Sequence, residues 1–318
     1  MPTTAIGLLR EADGLCETPP MQPAKPQSPN PRPLAAFAVG WLLAFSVAIP
    51  LLAQTPPANG PVPMQAEEYN AYTKGVQTTN PTAKVAAFED YLRAYPNSAV
   101  KADALEQILY LDSQIGDEAA TLNAADRVLQ IDPNDLRALT FYVYYHRADA
   151  NRLTDPTARA AALADVAAYA QRGLHAPRPA NMSEPDFTAL KKAALPIFQS
   201  AIADAALARK DNTAAIAALK AELDGVPVAQ TQTVGPVLQD VYVLAQAYST
   251  ATPPDYPNCA WYATRAAFFA PEAFKPPMQQ LATYCYTKSQ GSAQGYAAMQ
   301  AAVQTSLDPP PGFFPSNP

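Results

Sequence analysis

Charge is what this chain has little of. Only 16% of its 318 residues are Asp, Glu, Lys or Arg, and the formal net charge is −6. No basic block breaks that balance, so a nucleic-acid interface, which needs clustered Lys and Arg against phosphate, has no electrostatic footprint. Histidine is scarcer still, His146 and His175 being the two present. A hydrolytic zinc site needs several clustered ligands, and two isolated histidines without a His-Glu-x-x-His run do not supply it. His146 reads instead as a packed side chain. There is no Gly-x-Ser-x-Gly elbow, no phosphate-binding loop, no dinucleotide fingerprint and no Cys-x-x-Cys. The sequence therefore gives no catalytic residue, no cofactor and no metal. Glycine is also sparse at 12, whereas proline is abundant at 34 and hydrophobic content reaches 49%. That balance fits a folded, alanine-rich helical chain punctuated by proline better than a disordered one.

The N-terminal segment reads as an address. Leu34 to Ala53 carries no charge, follows Lys25 and Arg32, and ends Leu51-Leu52-Ala53 before Gln54, like a signal-peptidase site. Residues 1–53 are thus expected to be a cleaved secretory signal or, because the run is long, an N-terminal membrane anchor. Met21 is an alternative start that shortens the leader. In either case the remainder would be periplasmic or secreted, or anchored in the inner membrane and facing the periplasm. Residues 54–64 form a Pro-rich linker, and 307–318, with Pro309-Pro310-Pro311-Gly312, a Pro-rich tail whose Phe313 and Phe314 are expected to fold back on the last hairpin.

Between them the apolar positions recur at helical spacing. Leu105, Ile108, Leu109 and Ile115 form one stripe, Gly116-Asp117 makes a tight turn, and a second amphipathic run ends at Pro133, which cannot continue it. Ala102 to Asp135 is one 34-residue helical pair. A first pair spans Gln65 to Ser98, with Val85, Phe88, Tyr91 and Leu92 on one face of its second helix and Gly75 in the first where a large aromatic would be expected. A third opens with Phe141 to Tyr145. A fourth starts at Ser183-Glu184-Pro185-Asp186, a serine cap with proline in the first turn, and either kinks or breaks at Pro196. In the fifth, Val241 to Tyr248 offers large, small and aromatic slots in order, and a sixth turns near Gly291.

The period and the slot pattern of the second and fifth pairs resemble the tetratricopeptide (TPR) repeat family of bacterial exported proteins. The likeness covers residues 65–306 and is looser in the third, fourth and sixth pairs, where insertions follow Asp149 and Gly173. It implies an all-α, irregular TPR-like α-solenoid of five to six helix-turn-helix units, with eleven to thirteen helices and no sheet. It also implies that first helices line a concave surface. That places Tyr69, Glu106, Tyr110, Thr140, Tyr144, Arg147, Tyr242 and Gln246 on a partner-binding groove, where tyrosine gives broad contact at small entropic cost. The alternative is that several of these tyrosines only cover the core. The family's carboxylate clamp for chaperone tails is not matched, since its lysine and asparagine slots hold residues such as Glu106 and Thr140.

Two further groups carry chemistry. Cys259 and Cys285 lie about equally far, ~15–17 Å at 1.5 Å per residue, from the turn near Pro271 to Pro276. Antiparallel helices would bring them level, as a disulfide in an oxidising compartment or as two small buried hydrophobes. Asp103 and Glu106 form an acidic pair read as a solvated face. The function expected is a non-catalytic protein-protein interaction scaffold of the bacterial cell envelope. The alternatives are a glycan-binding or structural envelope protein, or an enzyme using acids such as Asp149, Asp155 or Asp186 in the irregular central units. The protein partner is not identifiable from these residues.

Overall fold

The computed structural model describes residues 64–314. The signal or anchor segment and nearly all of the Pro-rich linker lie outside the described residues. Within them the chain folds into twelve α-helices without a strand: α1 Ala66–Gln77, α2 Pro81–Ala94, α3 Lys101–Ile115, α4 Glu118–Ile131, α5 Leu136–Arg152, α6 Pro156–Leu174, α7 Glu184–Ala208, α8 Asn212–Gly225, α9 Pro236–Thr250, α10 Tyr256–Phe269, α11 Lys275–Gln290 and α12 Tyr296–Ala302. Short 3-10 turns occupy Val228–Gln232 and Glu272–Phe274. No helix of the described residues is long and apolar enough to cross a membrane.

Helix starts follow from capping chemistry. The side chains of Asn80, Asp117, Asp135, Asp155, Ser183, Asp211 and Asp255 each accept the backbone N–H three residues on. Each satisfies a donor that the first turn would otherwise leave unpaired. α7 runs unbroken through Pro196, so the alternative of two helices falls away. The ring removes one backbone donor, and Ser200 Oγ donates to the Pro196 carbonyl at 2.8 Å.

From α1 to α11 each helix packs on its chain neighbours, α12 packs on α10, and α5 also meets α7, α7 meets α9, and α9 meets α11. Contacts between helices two apart are what stacked hairpins produce, and the arrangement is consistent with an α-solenoid. Close approach is achieved with glycine. A Cβ at Gly173 of α6 would lie 2.3 Å from the Phe198 ring of α7. At Gly75 of α1 it would lie 2.9 Å from Phe88, so the aromatic expected in that slot is supplied from α2.

Two apolar cores meet in α7. The first runs from Phe88 and Tyr91 through Leu105, Leu139 and Phe198 to Ala201. The second runs from Ala203 through Leu219, Leu244 and Trp261 to Val303. Within the second, Cys259 and Cys285 join α10 to α11 as a disulfide with a Cα–Cα distance of 5.9 Å. Phe313 and Phe314 fold back against this second core, and Phe313 meets Trp261 of α10 with 4.9 Å between ring centres.

Candidate functional site

The odd-numbered helices form one layer, and polar contacts cross every step of it. Tyr72 of α1 donates to Asp103 of α3. Glu106 of α3 stands 3.6 Å from Arg137 of α5. Arg147 of α5 binds Asp204 of α7 through Nε at 2.7 Å, and Asn151 donates to the same oxygen at 2.9 Å. Ser200 of α7 reaches Asp240 of α9 at 2.8 Å. Tyr242 of α9 donates to the Pro277 carbonyl of α11 at 3.4 Å. The contacts fix the register between neighbours that share mostly alanine and leucine, which by themselves specify no single alignment.

The acidic pair at the N-terminal end is no solvated face. Burial, reinforced by the negative charge of Asp135, pushes the Glu106 carboxyl up to about 7. Asp103 is taken by Tyr72, whose phenol is raised by burial and then by that hydrogen bond.

The densest group lies where the two cores meet. Arg147, Ser200, Asp204, Glu222 and Asp240 converge from α5, α7, α8 and α9. The Ser200 hydroxyl has three acceptors at 2.8 Å, namely the Pro196 carbonyl, Glu222 Oε2 and Asp240 Oδ2. It has one proton to give, so a second proton must hold the two acids together. Glu222 carries it: burial, then repulsion from Asp240, pushes its carboxyl up to about 10. Burial also raises Asp240, against the pull of Arg147. Burial works against the Arg147 charge, but Asp204 and Asp240 hold its pKa above the ordinary value. A neutral acid, a bridging hydroxyl and an arginine between two carboxylates make a nearly satisfied buried network. Ser200, Glu222 and Asp240 are all buried. An open cleft of about 540 Å³ lies elsewhere, lined by Glu89, Arg93, Lys101 and Arg127 of α2, α3 and α4. Ser200 with its acids is therefore a locking element rather than an exposed nucleophile.

The residues assigned to the groove divide accordingly. Tyr69 and Tyr144 are open to solvent, 58% and 42% exposed. Glu106, Tyr110, Thr140 and Gln246 are half-buried, with Thr140 Oγ1 turned back to the Leu136 carbonyl. Tyr242 is only 6% exposed and belongs to the second core. Its placement on an open face is corrected: the aromatic slot of α9 faces a neighbour because α11 covers it. Arg147 is corrected likewise, its guanidinium being occupied by Asp204 and Asp240. His146 packs against Tyr142, ring centres 4.2 Å apart.

Ser200, Asp204, Glu222 and Asp240 were not singled out by the sequence. Their signal was available: Glu222 interrupts Leu219 to Leu223 and Asp240 precedes Val241 on otherwise apolar faces. Charges in such places need a partner, but their positions span 93 residues between Arg147 and Asp240.

The class defined by this geometry is an all-helical, repeat-like stack with a locked polar centre. No protein-family model, no curated protein and no solved structure significantly matches the chain. Its function must therefore be argued from its own surfaces.

Proposed function

We propose that this chain is a non-catalytic protein-interaction scaffold of the bacterial cell envelope, built as an irregular TPR-like solenoid behind an N-terminal signal or anchor. The carrying observation is the layer of odd-numbered helices, held in register by polar contacts and presenting Tyr69 and Tyr144 outward. A rigid face of this kind loses little entropy when a partner's extended segment or helix settles on it, and tyrosine suits the contact. The Cys259–Cys285 disulfide supports an oxidising compartment, since such bonds persist mainly outside the cytosol.

The test is recovery of a partner from envelope extract of the native host by the full chain, tagged after its last residue. A Tyr69→Ala, Tyr144→Ala variant runs beside it; Arg147 and Tyr242 are left intact because they hold the fold. A protein recovered by the wild type and lost by the variant is the expected result. Equal recovery by both would move the contact off this face. Co-sedimentation with peptidoglycan and no protein partner would replace the scaffold with a glycan-binding role.

A further inference from the structure

One step of the odd-numbered layer is tied differently from the rest. α5 packs on α7, α7 on α9 and α9 on α11, whereas α3 makes no comparable packing on α5. Glu106 and Arg137 face each other across that step at 3.6 Å, too long for a hydrogen bond, with side chains 32% and 23% exposed. Neither side chain makes a hydrogen bond among the described residues, and Arg137 Nε is buried without a partner. Arg265 also has an unpaired Nε, but its terminal nitrogens have three acceptors. A guanidinium with a buried donor and no acceptor is costly, and an incoming acceptor relieves that cost.

The surroundings select the group that fits. Burial, then Asp135, Asp103 and Asp132, raise the Glu106 carboxyl to about 7 against the pull of Arg137. Those three neighbours are already engaged: Asp103 accepts from Tyr72, Asp132 from the Asn134 N–H at 2.9 Å and Asp135 from the Ala138 N–H at 2.7 Å. Another carboxylate would enter a field of carboxylates, and a cation would meet Arg137 and leave its Nε unanswered. A primary carboxamide answers both sides without net charge: its oxygen accepts from Arg137 and its N–H donates to Glu106. Tyr110, one turn from Glu106, and Thr140 and Tyr144, one and two turns from Arg137, extend the same helix faces. We infer that Glu106 and Arg137 form a subsite for the side-chain carboxamide of an Asn or Gln in the partner segment, seated between α3 and α5. The subsite rests on the docking face proposed above and gives it a residue preference.

The full chain, isotopically labelled at arginine nitrogen, reports through the Arg137 Nε–H magnetic resonance signal, assigned by its loss in Arg137→Lys. The probes are N-acetylglutamine methylamide and its glutamate and alanine counterparts, which share the main-chain amides. The glutamine probe should move the Arg137 signal with a dissociation constant of about 1–10 mM. Its affinity should rise about tenfold from about pH 6 to 8, because Glu106 accepts the amide N–H best when ionised and titrates at about 7. Glu106→Ala should abolish the shift and Glu106→Gln should remove its pH dependence, with helical circular dichroism unchanged in both. Tighter binding of the glutamate probe, strengthening as pH falls, would overturn the carboxamide in favour of a carboxylate. Equal shifts from the alanine probe would reduce the contact to main-chain amides and overturn the side-chain preference. No shift from any probe would overturn the subsite. Loss of helicity in Glu106→Ala and Glu106→Gln alike would make the pair a structural support and overturn it too. No partner enters this experiment, and Tyr69 and Tyr144 stay in place, so its failure leaves the docking face untouched.

Discussion

The two halves of the stack are built differently. In α1 to α4 each helix keeps a wet side: α3 buries Leu105, Ile108 and Leu109 while Gln114 and Ile115 face solvent. Its ties across helices are partly exposed, such as Arg127 to Glu89 at 2.5 and 3.1 Å. In the second half, α10 is buried on all sides from Cys259 to Ala267. α9, α11, α12 and the tail surround it, and the disulfide ties it to α11. The first half is a two-layer ribbon in which each pair leans on the next, whereas the second is a body organised around one central helix. Ribbon stability is a sum of neighbour contacts, so opening one end need not open the other.

Large deletions in each half should show this most strongly. Trp261→Ala and Phe88→Ala each remove a fully buried ring and should cost about 3–5 kcal/mol. Amide hydrogen exchange should separate them. Phe88→Ala should raise exchange in α1 to α4 and leave α9 to α11 protected, while Trp261→Ala should expose α9 to α12 together. Uniform acceleration by either would make the chain one cooperative unit and end the distinction. Next in size is the disulfide. Cys259→Ala with Cys285→Ala opens a separation of 26 residues and should cost about 3.5 kcal/mol of chain entropy. Denaturant titration followed by near-ultraviolet dichroism of Trp261 should register the loss, and exchange in α2 and α3 should not change.

The halves also differ in how far they were legible. Helix ends in the ribbon follow local rules, Asp117 capping α4 and Gly116 turning the chain at φ +82°, and local rules can be read from neighbouring residues. Leu105, Ile108 and Leu109 of the α3 stripe mark its buried face, whereas Ile115, read into the same stripe, ends the helix 45% exposed. Around α10 the pattern fails: a helix buried all round has no stripe to read, and nothing in Trp261 or Arg265 announces that residues 46 and 38 positions on will cover them. Arg147 and Tyr242 illustrate the same limit. Both lie on odd-numbered helices, but whether those side chains are open depends on α7, α9 and α11. The level of Cys259 and Cys285 could be reckoned from helix rise, whereas whether they face each other could not.

The seam between the halves should respond to pH through Glu222. Burial and the neighbouring Asp240 raise its folded-state pKa to about 10 from an ordinary 4.5, so the folded form holds a proton that the unfolded form has lost. Stability from this group is complete below the unfolded pKa and declines as pH rises towards the folded one. Glu222→Gln keeps the shape, donates to Asp240, accepts from Ser200 and does not titrate. It should flatten the decline, the wild type falling further below the variant as pH rises towards 9, read from urea midpoints across pH. A slope unchanged by Glu222→Gln would mean that the seam holds no such proton.

The smallest effect on stability should come from the surface proposed to matter most. Tyr69 and Tyr144 are exposed, and Tyr144 touches Tyr145 only edge-on, 5.1 Å between ring centres. Replacing both by alanine leaves no cavity and strands no buried hydrogen bond, so the melting temperature should move by less than the equivalent of about 0.5 kcal/mol. Arg147→Ala and Tyr242→Ala would also remove partner binding, but by releasing Asp204 and Asp240 or opening the second core. Their effect on binding would therefore say nothing about where a partner sits. A face that loses its partner at constant stability is a contact surface; one that loses both is a support. If Tyr69→Ala with Tyr144→Ala lowered the melting temperature as far as the core deletions do, these rings would be covering the ribbon, and the outward face of α1 and α5 would lose its claim to be the docking surface.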